Sequence, residues 1–166
     1  MRLLLMRHAH THPSEDKPDI DRLLTKRGMS EAKEAAVFLC EYQVDKLLVS
    51  YAKRTMQTSK IIQTHLSVQE SEIVTELYNE GIEAIIDLLA AQEDRNKHIL
   101  VIGHNPLIYE VALLLSNPTS AEYDQLIATL MPPARVIIID FPDAVKWGDI
   151  RKMKGNIKKI FTPSVV

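Results

Sequence analysis

Short apolar runs recur along this chain at intervals that a helix fits, and that rhythm leaves few folds open. Leu3-Leu4-Leu5-Met6, Leu47-Leu48-Val49, Ile99-Leu100-Val101-Ile102 (opened by His98) and Val136-Ile137-Ile138-Ile139 carry no polar alternation. Each reads as a strand buried on both faces. Ile73-Val74 is a weaker strand, and Asn156 to Phe161 adds one more. Between them lie segments of helical period. The spacing predicts a helix from an N-cap at Thr25 to about Tyr42, with Ala32, Ala35, Ala36, Phe38 and Leu39 inward and Gly28 near its start. Further helices are expected from about Ala52 to Leu66, from Ile82 to Gln92, and through about Leu115 with Pro106 in the first turn. Strands alternating with helices specify an α/β fold, a mostly parallel sheet covered on both faces. Residues 9–24, polar and carrying Pro13 and Pro18, read as a loop; 117–133 is the least regular stretch.

With 166 residues the chain suits one domain spanning 1–166. A net charge of -2 argues against bulk attraction to nucleic acid or to anionic membranes. No run approaches the roughly 18 apolar residues of a membrane span. The first apolar run is far shorter than the roughly 7–15 residues of a signal-peptide core. A cytoplasmic protein is expected. The one cysteine, Cys40, excludes an intramolecular disulfide, and its place after Phe38-Leu39 predicts a buried, inert thiol.

Polar residues gather where the apolar runs end. Arg7-His8 follows the first run, Ser50 ends the second with Arg54 one helical turn later, and Gly103-His104 ends the fourth. In open α/β sheets the C-terminal ends of parallel strands lie along one edge, where ligands bind. A guanidinium holds phosphate oxygens bidentately, and a neutral imidazole can act as a nucleophile. An Arg beside a His at such an edge suggests a histidine that meets an anion.

These segments resemble the histidine phosphatase, or phosphoglycerate mutase-like, superfamily, and the chain's small size resembles its SixA-type phosphohistidine phosphatases. Arg7-His8 is similar to the family's Arg-His motif, and Leu24-Thr25-Lys26-Arg27-Gly28 to its Leu-Thr-x-x-Gly segment. Ser50 to Thr58 resembles Ser-Pro-x-x-Arg-x-x-x-Thr, and Gly103-His104 matches the second histidine. The resemblance implies a three-layer α/β/α fold and a phosphatase that needs no metal or other cofactor. It implies His8 as the nucleophile that becomes phosphorylated, kept neutral by the two arginines. Arg7 and Arg54 then grip the phosphoryl group, and His104 donates a hydrogen bond to the charge that develops. Ser50 caps its helix, touches phosphate, or both; Thr58 is expected to be structural. The family's leaving-group acid falls in Thr75 to Gly81, with Glu76 the first candidate and Glu80 the fallback.

Three positions depart from the family pattern. Ala9 stands where Gly is usual and would crowd a loop that needs positive φ; His10 stands for Glu or Gln, and Tyr51 for Pro. The expected substrate is a phosphohistidine on a partner protein, because a short chain leaves an open pocket. The alternatives are a phosphatase for small phosphomonoesters, a mutase, and a non-catalytic module that binds a phosphorylated ligand. A zinc site built on His8, His10 and His12 is the rival from another class. The amidohydrolase-like barrel that begins this way needs about 200 or more residues, and Arg7 opposes a cation.

Overall fold

The computed structural model describes residues 1–14 and 17–164. Six strands form one sheet: β1 (Arg2–Arg7), β2 (Val44–Ser50), β3 (Val68–Val74), β4 (His98–Gly103), β5 (Val136–Asp140) and β6 (Asn156–Phe161), in the order β3-β2-β4-β1-β5-β6. The first four in that order are parallel, whereas β5 runs antiparallel to β1 and β6 to β5. The helices are α1 (Lys26–Leu39), α2 (Lys53–Ile62), α3 (Glu76–Asn79), α4 (Ile82–Ala90), α5 (Leu107–Leu115) and α6 (Tyr123–Thr129).

The period of two along each strand divides the core into two layers. Leu3, Leu5, Leu48, Ile99, Val101, Ile137 and Ile139 meet Ile85, Ile86 and Leu89 of α4 and Ile108, Val111 and Leu115 of α5. Leu4, Met6, Leu47, Val49, Leu100, Ile102, Val136 and Ile138 meet Ala32, Ala35, Ala36 and Leu39 of α1 and Ile62 of α2 on the opposite face. Both faces are therefore covered, and the unbroken apolar runs follow from that.

The register explains why one edge collects the polar residues. Arg7 pairs with Gly103, and Val49 pairs with Ile102, so β4 carries its end between the ends of β1 and β2. Residues 8, 50 and 104 thus leave the sheet side by side.

Several expectations change. β3 starts at Val68, six residues after α2 ends, and its polar face is held at the sheet edge by Lys46, which pairs with Glu70 and Glu72. The irregular stretch 117–133 contains α6. The expected loop over 9–24 holds a bridge between Thr11 and Leu24 and a 3₁₀ turn at Asp19–Asp21, its residues 15 and 16 lying outside those described. α1 stops at Leu39, so Cys40 falls on its C-cap and is exposed rather than buried.

Candidate active site

Thr25 caps α1 as expected, its hydroxyl oxygen accepting from Gly28 N–H at 3.0 Å. The backbone of Thr25 also donates to the carbonyl of His10 at 3.1 Å. This brings the first turn of α1 so close to the loop after β1 that a Cβ on Gly28 would lie 2.0 Å from the His10 oxygen. Only glycine fits the approach. Buried Glu31, one turn further, accepts from His10 N–H at 2.8 Å. Thr58 of α2 accepts from Ala9 N–H at 3.2 Å while donating to the Arg54 carbonyl at 2.8 Å, a structural link between the two halves of the site. Ala9 is not at positive φ, and its buried methyl packs into the core beneath α1.

His8 sits at the floor, 7% exposed. Its Nδ1 donates to the Ala9 carbonyl at 2.8 Å, so in the neutral ring Nε2 carries the lone pair. Burial pushes its pKa down to about 3, with smaller like-charge contributions from His104, Arg54 and Arg7. Desolvation outweighs the two arginines in keeping this ring neutral. Arg7 donates through Nη1 to the Met131 carbonyl at 2.9 Å, and its buried Nε has no partner among the described residues.

His104 lies 5.2 Å from His8, ring centre to ring centre. Arg54 Nε donates to its Nδ1 at 3.2 Å, and its Nε2 is 2.7 Å from the Ser50 hydroxyl. Burial, then the Arg54 charge, lowers its pKa to about 3. Ser50 is fully enclosed and lies outside the cavity lining; its hydroxyl faces His104 instead of the space where phosphate was expected. It does not cap α2 either, whose N-cap is Ala52.

A cavity of about 420 Å³ opens over these groups, lined by Arg7, His8, Arg54 and His104 as the sequence led us to expect, and by His10, Asp19 and Arg22 besides. Arg22 is fixed by three bonds, to the His12 carbonyl, the Asp19 carboxylate and the Thr11 hydroxyl. Asp19 is the cavity's one carboxylate among the described residues. It accepts from Arg22 Nη1 at 3.0 Å through Oδ1, and from Arg54 Nη2 and the Tyr78 hydroxyl, each at 2.9 Å, through Oδ2. Although burial opposes it, these donors bring its pKa down to about 2.

Glu76 and Glu80 are both exposed and line no part of the cavity. Glu76 accepts from the Thr75 hydroxyl at 3.0 Å. It opens the short helix α3 on the solvent side, while Leu77 turns into the core and Tyr78 toward the site, 5.4 Å from the His104 ring. Sequence reasoning missed Asp19, Arg22 and Tyr78. The available signal was that Asp19 and Arg22 occupy the loop directly after β1, where such sheets build their sites. His10 Nδ1 pairs with the Thr25 hydroxyl at 2.9 Å, and no cluster of three or more His, Cys, Asp or Glu suited to a metal ion occurs among the described residues.

The sequence model of the histidine phosphatase superfamily (branch 1) matches residues 3–83. An uncharacterised protein of Mycobacterium leprae (strain TN) is 30% identical over 166 residues, covering 95% of this chain and 99% of that protein. The chain belongs to the histidine phosphatase superfamily. Its fold is the phosphoglycerate mutase-like α/β fold of that superfamily. Among solved structures, a protein assigned as the phosphohistidine phosphatase SixA of Nakamurella multipartitia superposes with a TM-score of 0.83 at 26% identity, covering 98% of this chain and 96% of the other. The protein histidine phosphatase SixA complexed with tungstate shares the fold, with a TM-score of 0.78 at 21% identity over 98% and 97% of the two chains. No described helix is long and apolar enough to cross a membrane.

Proposed function

We propose that this single-domain member of the superfamily is a metal-independent phosphatase that passes a phosphoryl group through His8 and takes it from a phosphohistidine on a partner protein. The observation that carries the reading is the Nδ1 bond of His8 to the Ala9 carbonyl, which aims an unprotonated Nε2 into a cavity with three guanidinium groups. In the first step the Nε2 lone pair forms a bond to phosphorus as the bond to the leaving group breaks. Arg7 and Arg54 neutralise the phosphoryl oxygens, and water then hydrolyses the phosphohistidine. Positioning and charge are what this transfer needs most, and fixed donors supply both.

The leaving group decides between substrates. An alkoxide needs a proton as it departs, and neither Glu76 nor Glu80 reaches the cavity. Among the described residues the one carboxylate that does is Asp19, and it stays ionised. A phosphoramidate nitrogen departs without an acid at that point, which favours phosphohistidine over an alkyl phosphate. The single exposed thiol, Cys40, suits a reducing compartment such as the cytoplasm. The test is the rate of phosphate release from a phosphorylated histidine domain against sugar phosphates and nucleotides. The reading expects the protein substrate to be much the faster; equal or slower release from it contradicts the assignment.

A further inference from the structure

Resting on the reading just given, we propose that Asp19 selects the substrate by accepting a hydrogen bond from the distal ring nitrogen of the departing imidazole. Three observations place it there. His8 is at the cavity floor and 7% exposed, whereas the Asp19 side chain is 47% exposed at the mouth. A group leaving in line with attack from the floor departs toward the mouth. Asp19 also accepts from Arg54 at 2.9 Å, the guanidinium that the proposed function puts on the phosphoryl oxygens, so it borders the phosphoryl site. Finally, its two oxygens accept three bonds, from Arg22, Arg54 and Tyr78. An ionised carboxylate has about four acceptor positions, so one remains for a substrate.

The chemistry fits an ionised carboxylate and no other form. A phosphoimidazole leaves well when its distal nitrogen is protonated. His8 Nε2 then forms the new P–N bond, the old P–N bond breaks, and its electron pair stays on the departing nitrogen. The distal proton stays on the ring, which leaves as neutral imidazole. No proton is delivered to the departing atom. Asp19 stabilises the cationic ring before cleavage, and a charge-assisted bond of this kind is among the stronger ones. An alkyl or aryl phosphate offers no N–H there and meets only a negative charge.

The test measures kcat/KM of the wild type and of Asp19→Asn on phosphoimidazole and on p-nitrophenyl phosphate. The amide oxygen of Asn still accepts from Arg54 and Tyr78, while the charge and the bond from Arg22 are lost, Arg22 keeping its bonds to the His12 carbonyl and the Thr11 hydroxyl. The ratio of phosphoimidazole to p-nitrophenyl phosphate activity is expected to drop at least about tenfold, the size of one charged hydrogen bond. Equal losses on both substrates mean that Asp19 only positions Arg54 and overturn the proposal, as does an unchanged ratio. A wild type active on p-nitrophenyl phosphate and inert on phosphoimidazole overturns instead the phosphohistidine reading beneath it.

Discussion

Arg54 donates through Nε to Nδ1 of His104 at 3.2 Å, so two groups expected to hold phosphate hold each other in the free protein. A guanidinium N–H can only donate; the neutral ring therefore carries its hydrogen on Nε2, facing the Ser50 oxygen at 2.7 Å. For His104 to donate to a phosphoryl oxygen, its Nδ1 must bear the hydrogen. The Ser50 hydroxyl can then donate to Nε2 instead of accepting from it. Ser50→Ala is expected to lower kcat by about tenfold with little change in KM, and to cost about 1–2 kcal/mol of stability through the unsatisfied ring nitrogen. Steady-state kinetics and urea unfolding check both, with Ser50→Thr restoring part of kcat. A kcat equal to wild type in Ser50→Ala contradicts the role.

The buried histidines make stability depend on pH in a definite direction. His8 and His104 titrate near 3 in the folded protein against 6.5 as the ordinary value. Between those limits the unfolded chain binds more protons, so stability falls as pH drops from 6.5 toward 3 and is level in this respect above 6.5. Each ring contributes up to about 3 kcal/mol of that loss by pH 4. Thermal unfolding across pH 4–7 checks it, with a shallower slope expected in His8→Gln. The same slope in the variant argues that His8 is not the group responsible.

Gly28→Ala puts a methyl group on the His10 carbonyl, a contact of 2.0 Å that backbone atoms must relieve. The cap at Thr25 and the loop bearing His8 move together because Thr25 N–H donates to the His10 carbonyl in that loop. The expected result is a loss of more than about 2 kcal/mol and at least about tenfold in kcat/KM. A stable, active variant removes the close approach from the account.

Glu76→Gln is expected to keep activity within about twofold, since the carboxylate is exposed and outside the cavity. A pH-rate profile that loses its basic limb in this variant restores Glu76 as the acid.

The fold was legible where both faces of a strand are buried. β1, β2, β4 and β5 announce themselves by unbroken apolar runs, and Thr25 marks the start of α1. β3 was legible only at its end, Ile73-Val74, because Gln69 to Glu72 lie at an exposed sheet edge and take their strand shape from β2. In the site, Arg7, His8 and His104 were legible because strand ends fix their location, and Arg54 because it opens the helix after β2. Asp19, Arg22 and Tyr78 were not. They reach the cavity through loop conformation and a single turn of helix, and no periodicity encodes either. Glu76 was expected from its place after β3, but one residue along a helical turn rotates a side chain by about 100°, and that step exchanges Glu76 for a side chain facing the protein.

The measurement that bears most directly on the account is intact-protein mass spectrometry after brief exposure to phosphoimidazole at neutral pH, quenched without acid. The account predicts one phosphoryl adduct on the wild type and none on His8→Ala. An adduct that persists in His8→Ala, or turnover that survives in it, contradicts His8 as the phosphoryl carrier.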